Sequence, residues 1–395
     1  MLTMNDRQRF DAIMHYREPD RAAICDFGFW DETIEAWQDQ GLPTELPADN
    51  RGQAVSRYFG MDALLETARV NVDLCPPFPF KVLDDRGDHE LIQQVDGVRV
   101  LRRKRMSSIP QHHGHLLTDR ESWRKHYLPR LDPADPDRLP RGQRWECHVQ
   151  YWRNEDRAEP LALPCGSLFG KLRDWMGLEA ISYVPYDDPA WFEEMVTARA
   201  DVVIAVLEKV LATGARFEAG AFWEDMCYNA GPLLSPAHFK KYLVPHYRRI
   251  TELLNRHGVD IVWVDCDGCI DELIPLWLDA GVNTMFPIEV GTWQADPVAM
   301  RRQYGRELRL MGGFDKRILA HSPHAIDAEV ARLQPLVDGG GYIGFCDHRV
   351  PPDVPLAHYM HYLYRVRETW GRGVNLKPLA RLAPRGRAAD VSARP

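Results

Sequence analysis

The sequence lacks most of the features that would take it out of the ordinary globular class. Lys and Arg do not outnumber Asp and Glu, 49 against 57 for a net charge of −8, so the basic footprint of a nucleic-acid binder is missing. No apolar stretch approaches the ~20 residues that cross a bilayer; Val202 to Leu207 is a typical short run. Met1 to Arg9 is polar, without the apolar segment of a secretory signal. Cysteine is sparse and scattered, eight in 395 residues, which argues against a disulfide framework and predicts a cytoplasmic protein with free thiols. No Gly-x-Gly-x-x-Gly follows the first strand-like run, which weighs against a dinucleotide fold. One local absence bears on function: Ala22 to Asn50 contains no Lys and no Arg, while it holds Asp26, Asp31, Glu32 and Glu35.

What is present is a chain 45% hydrophobic and 27% charged, long enough to bury a large core without staples. Asn5 to Tyr16 has helical spacing, with Phe10, Ile13 and Met14 on one face. Pro19 stops it, and an apolar strand at 22–27 follows. A helix carrying Trp30 and Trp37 then ends at Gly41-Leu42-Pro43. The region 70–142 is rich in Pro and Arg. Its best signal is a hairpin, Leu91 to Val95 and Val98 to Leu101 around Asp96-Gly97. It is read as an insertion or cap.

From residue 160 the pattern alternates. Apolar runs at 161–164, 217–222, 260–264, 284–288, 308–311 and 342–345 are separated by helical patterns near 188–213, 235–257, 270–280, 296–304, 323–336 and 355–370. Strand–helix alternation with continuous apolar strands predicts a parallel sheet buried on both faces. Six such units and the strand at 22–27 make seven, with one more expected, so the fold class is α/β, a (β/α)8 TIM-type barrel with an N-terminal hairpin-containing insertion. The barrel is read as one domain over 1–375, and 376–395 as a disordered tail.

In such a barrel the chemistry gathers at the C-terminal ends of the strands. The residues there are Cys165-Gly166-Ser167, Trp223-Glu224-Asp225-Met226, Asp265-Cys266-Asp267-Gly268-Cys269, Glu289, Gly312-Gly313 and Cys346-Asp347-His348-Arg349. Loops are polar in any protein, and Ser235 or Asp271 reads simply as a helix cap. Asp265 and Asp267 read differently. Residues i and i+2 of a strand share a face, so both carboxylates are expected at the mouth, with Cys266 turned away. Two adjacent carboxylates push one another's pKa up, which suits acid/base work or a cation. Asp267, His348 and Glu224 form a candidate oxygen/nitrogen metal site with an open position. The lone Cys266-x-x-Cys269 reads as two reduced thiols around an Asp-Gly turn. Phe27, Trp30 and Trp223 are expected to wall a pocket for a flat ligand, with Asp225, Glu289 and Asp347 as further substrate contacts.

These motifs resemble the uroporphyrinogen decarboxylase superfamily. The shared features are Arg7-Gln8-Arg9-Phe10 through Pro19-Asp20-Arg21, then Glu224-Asp225-Met226 with Gly231-Pro232 and Ser235-Pro236. Asp267-Gly268 with Leu273-Ile274-Pro275 and Ala280-Gly281-Val282 follows, and Gly312-Gly313 and Gly341 to Pro355 with Asp347-His348 close the set. The resemblance implies a (β/α)8 barrel and one of two chemistries. One is cofactor-free decarboxylation of the acetate arms of uroporphyrinogen. The other is methyl transfer to or from a corrinoid (cobalamin) carried by a partner protein, assisted by zinc.

The decarboxylases carry an arginine-rich motif after the first strand, which the acidic segment at 22–50 replaces. The methyltransferases carry His-x-Cys after a middle strand and a later Cys. The matching positions here are Asp265, Asp267 and His348, a harder ligand set suited to an oxygen- or nitrogen-linked methyl group. The expectation is therefore a corrinoid-linked methyltransferase or demethylase acting on a small methylated substrate. Asp265, Asp267 and His348 would be metal or acid/base residues, Glu224 the group that orients or protonates the leaving atom, and the chain a candidate homodimer. The alternatives are a uroporphyrinogen decarboxylase or related lyase, and a non-catalytic tetrapyrrole- or corrinoid-binding barrel.

Overall fold

The apolar runs become strands because each buries both faces. In the computed structural model, which describes residues 3–45, 51–64, 66–104 and 110–371, Ala162–Gly166, Ala219–Trp223, Val262–Asp265, Thr284–Ile288, Arg309–Gly312 and Tyr342–Ile343 pair side by side in chain order. Every pairing is parallel. Helices make the crossovers, among them Pro189–Leu211, Val244–Arg256, Ile274–Asp279, Pro297–Tyr304 and Pro323–Gly339, and Leu356–Trp370 follows the last strand.

Two extended segments close the sheet into a barrel. Residues 22–29 follow an extended path, and Phe29 bridges Val350 in parallel. Residues near 67 form the stave missing from the sequence reading, with Thr67 bridging Ala162. The two segments are tied by the Asp62 amide donating to the Ile24 carbonyl at 2.7 Å. The barrel interior is one packed cluster with a contribution from each stave: Ala23 and Cys25, Leu64, Ala162, Ala219, Trp263, Phe286, Met311, and Ile343 with Phe345. It is thus a filled core, as in barrels of this type.

Helix Asp6–Met14, opened by a capping box between Asn5 and Gln8, plugs the bottom with Phe10, Ile13 and Met14. The opening motif is an ion-pair lock. Buried Arg9 bonds Asp20 at 2.9 Å and Asp62 at 3.2 Å, and Arg21 grips both oxygens of Asp62 at 2.5 and 2.6 Å. These residues fix the start of the chain to the barrel floor, far from the strand ends.

The insertion contains a four-stranded antiparallel sheet, Lys81–Arg86, His89–Gln93, Arg99–Arg103 and Gln111–Gly114, and its central hairpin turns at Asp96-Gly97 as read. The helical pattern at 235–257 is broken. Phe239–Leu243 is a π turn ahead of Val244–Arg256, because Pro245 has no N–H for the carbonyl one turn back. The tail at 376–395 lies outside the described residues. Among the described residues no helix is long and apolar enough to cross a membrane.

Candidate functional site

Five of the expected residues converge above the strand ends. Trp223 and Asp265 are in register on neighbouring strands. The next residue but one, Asp225, takes the left-handed region with φ 40°, a strained conformation for a non-glycine residue. It turns its carboxylate toward 267, and Asp225 Oδ1 accepts from the Asp267 amide at 3.2 Å. Cys266 is buried between them, as the strand alternation predicts. Gly268 is required by geometry. Its φ is 90°, and a Cβ there would meet the Cys227 backbone at 2.7 Å. Its amide donates to Glu289 Oε2 at 2.7 Å, and Thr292 donates to Glu289 Oε1 at 2.9 Å. From the last strand end, His348 Nε2 comes within 3.4 Å of Asp267 Oδ2. Its ring is held edge-on to Phe27 at 5.2 Å and stacked on Trp30 at 6.1 Å.

Potential ligand atoms fall into two groups that share Asp267: Asp267 with Glu289 and His348, and Asp225 with Asp265 and Asp267, each within 4.8 Å. The electrostatics follow from burial and crowding. Burial first, and the Asp267 charge next, push the Asp225 carboxyl up to about 6. The same causes, with Asp225 added, hold Asp265 well above the carboxylate range. Glu289 is raised by burial and by Asp267. Like charges this close disfavour full ionisation, so the mouth stores protons and attracts cations.

Beside the cluster lies a cavity of about 490 Å³. Phe27, Trp223, Trp263 and Phe286 give it aromatic walls, and its charged lining is Asp265 on one side and Asp73, Lys171 and Arg199 on the other. The Lys171 ammonium sits 4.7 Å over the Trp223 ring. Of the expected wall residues, Phe27 and Trp223 line this cavity. Trp30 instead backs His348 and faces Arg349 at 5.4 Å.

Two expected site residues are elsewhere. Glu224 is fully buried and points away from the mouth. Its Oε2 accepts from Ser167 Oγ and from the amides of Phe169 and Gly170, and its Oε1 accepts from the Leu168 amide and the Tyr247 hydroxyl, all at 2.7–3.0 Å. A carboxylate beside a strand end satisfies either the mouth or the helix that follows the neighbouring strand, and five donors decide for the helix. Asp347 is likewise buried, accepting from the Gly291 amide at 2.7 Å and the Lys316 amide at 3.2 Å. It ties the helical turns that begin near Gly291 and Lys316 to the last strand end. The expected grouping is also rearranged: Glu289, in place of Asp265 or Glu224, completes the set around Asp267 and His348. Lys171, Trp263 and Phe286 were missed. The signal was available for Lys171, a few residues beyond a strand end. The two aromatics lie inside apolar runs, where ring and aliphatic residues look alike.

Residues 170–369 match the family model described as uroporphyrinogen decarboxylase (URO-D). The chain belongs to the uroporphyrinogen decarboxylase family. Among curated relatives, the uroporphyrinogen decarboxylase of Hydrogenovibrio crunogenus is 26% identical over 193 residues, 48% of this chain and 51% of that protein. The one from Trichlorobacter lovleyi is 28% identical over 205 residues, 50% and 54%. The chain thus spans about half the length of the curated relatives it matches. Among solved structures, a methyltransferase from Methanosarcina mazei superposes with a TM-score of 0.61 at 14% identity, over 92% of this chain and 99% of that one. That likeness supports the (β/α)8 barrel for this family member.

Proposed function

We propose that this protein transfers a methyl group from a small methylated substrate, held in the aromatic cavity, to a corrinoid delivered by a partner protein. The observation that supports the reading is the acidic mouth: Asp225, Asp265, Asp267 and Glu289 meet His348 above the barrel. In the transfer the carbon–heteroatom bond breaks and its electron pair stays on the heteroatom. Asp225, with its carboxyl raised to about 6, supplies a proton to a departing oxygen, and Asp265 holds a proton on a departing nitrogen. Phe27, Trp263 and Phe286 exclude water from the reacting carbon.

A zinc ion fits the residues at hand. Asp267 Oδ1 is buried without a hydrogen-bond partner among the described residues. The 3.4 Å between His348 Nε2 and Asp267 Oδ2 is long for a hydrogen bond and close to the edge of a tetrahedron with bonds of about 2.0–2.1 Å. Asp267, Glu289 and His348 would hold the ion, which would supply Lewis acidity toward the leaving atom.

The names of the curated relatives favour a second reading, decarboxylation of uroporphyrinogen. A substrate bearing many carboxylates would meet this mouth with like charge, and the segment 22–50 offers it no arginine. The deciding experiment incubates the purified protein with cob(I)alamin and methylated ethers and amines, and separately with uroporphyrinogen. Demethylated product with cob(I)alamin is expected. Carbon dioxide release from uroporphyrinogen without any demethylation would overturn the proposal.

A further inference from the structure

We propose, building on the methyl-transfer reading above, that the substrate is an N-methylated amino acid, with its ammonium set against Asp265 and its carboxylate against Lys171. Three observations lead there. First, Asp265 lines the cavity, and no hydrogen bond from a described residue reaches its carboxylate. It is a half-buried acceptor without a donor. Second, the residues around it are rings. Phe286 is its register partner on the next strand, Trp263 precedes it by two on the same face, and Phe27 packs edge-on to Phe286 at 5.1 Å. Faces of this kind bind methylated ammonium groups.

Third, the opposite wall carries two cations, Lys171 and Arg199, beside one carboxylate, Asp73, and the cations are only part-committed. Arg199 is used up by the Ser167 carbonyl at 3.1 Å and by Asp73 at 3.0 Å. The Lys171 ammonium is not: its nearest carboxylates, Asp73 and Asp174, are both 4.0 Å away, and it rests on Trp223 instead. It is free to turn toward a bound anion.

The spacing selects a compact molecule. Lys171 follows the strand Ala162–Gly166, and Asp265 ends a strand two places along the sheet. Adjacent strands lie about 4.8 Å apart, so the two staves that carry these residues stand roughly 10 Å apart. A molecule with ammonium and carboxylate separated by one to three carbons spans that gap with a contact at each end. The protonated nitrogen also suits the chemistry. As the methyl group leaves, the nitrogen keeps its proton, takes the bonding pair and becomes a neutral amine, so no other acid is consumed. A quaternary ammonium fits the rings but gives Asp265 no N–H.

The test is calorimetric titration of the whole protein, with no methyl acceptor present. The probes are N,N-dimethylglycine, dimethylamine (ammonium alone) and isovalerate (carboxylate alone). Dimethylglycine is expected to bind at least about tenfold more tightly than either single-charge probe. Lys171→Met is expected to remove that advantage while leaving dimethylamine binding unchanged. Asp265→Asn is expected to weaken dimethylglycine and dimethylamine and leave isovalerate unchanged, with circular dichroism confirming the fold of both variants. Equal binding of dimethylglycine and dimethylamine, no binding of any probe, or indifference of dimethylglycine to Lys171→Met would overturn the inference. Methyl transfer stands apart: demethylation of ethers with no dimethylglycine binding sinks only the substrate assignment, and dimethylglycine binding without demethylation of any compound sinks the transfer reading.

Discussion

Glu224→Gln isolates the role the structure gives to the residue. Five hydrogen bonds end on its carboxylate. The amide that replaces it keeps one carbonyl oxygen, which can serve Ser167, Phe169 and Gly170. Its NH₂ then faces the Leu168 amide and Tyr247. The Tyr247 hydroxyl can rotate to accept, whereas the Leu168 N–H is left buried opposite another donor. One orphaned donor costs about 1–3 kcal/mol, and the loss of charge assistance from the other bonds adds a similar amount. The expected loss is about 2–4 kcal/mol, read as a lower urea midpoint with an unchanged slope. Tyr247→Phe removes a donor and leaves the carboxylate four others, so about 1–2 kcal/mol is expected. The two changes share a bond, and the double variant is expected to miss additivity by well over 0.5 kcal/mol. A Glu224→Gln protein that unfolds at the parent's midpoint, or strict additivity, refutes the structural assignment.

The other predictions concern separate parts of the molecule. His348→Ala is expected to cut zinc affinity more than about tenfold, measured by competition with a chromophoric chelator; equal zinc binding would remove His348 from the ligand set. Asp26 is pushed up to about 7 by burial, against the Tyr359 hydroxyl bond that favours its ionised form. The folded chain therefore keeps the Asp26 proton where the unfolded chain has lost it, and stability falls as pH rises from about 4 to about 7 and is level above. Asp26→Asn removes that fall, worth about 3 kcal/mol between pH 5 and 8; identical pH profiles in urea titrations would contradict the assignment. Gly268→Ala forces a side chain into a φ of 90° and onto the Cys227 backbone. A loss of more than about 2 kcal/mol with weakened zinc binding is expected, and a neutral substitution would show that the turn tolerates what the geometry forbids.

The barrel was legible because burial on both faces leaves continuous apolar runs, and all six runs from residue 160 onward ended within two residues of the strand that formed. The stave near Thr67 was not legible. It makes a single bridge, and its apolar residues Leu64 and Ala68 fall in no run. The cluster was legible in part. The i, i+2 rule placed Asp265 and Asp267 on one face, and strand-end logic drew Glu289 and His348 to the same mouth. Glu224 and Asp347 show where that logic stops. Position brings a side chain to the rim, but whether it faces the hollow depends on backbone donors from other segments, and the Ser167–Gly170 turn lies more than fifty residues from Glu224.

Glu224 nonetheless shapes the site it does not enter. Through the Phe169 and Gly170 amides it clamps the first turn of helix Gly170–Met176, and the next residue is Lys171. On its other side it is followed directly by Asp225, whose backbone carbonyl accepts from Arg173 of the same helix. One buried carboxylate thus sets the distance between the cationic wall and the acidic one. Loosening it is expected to act on ligands in proportion to how many walls they touch. Glu224→Gln should weaken dimethylglycine binding about three- to tenfold and leave dimethylamine, which needs only the acidic side, nearly unchanged. An equal loss for both ligands would mean that the clamp supports the acidic wall alone, and that Lys171 keeps its place without it.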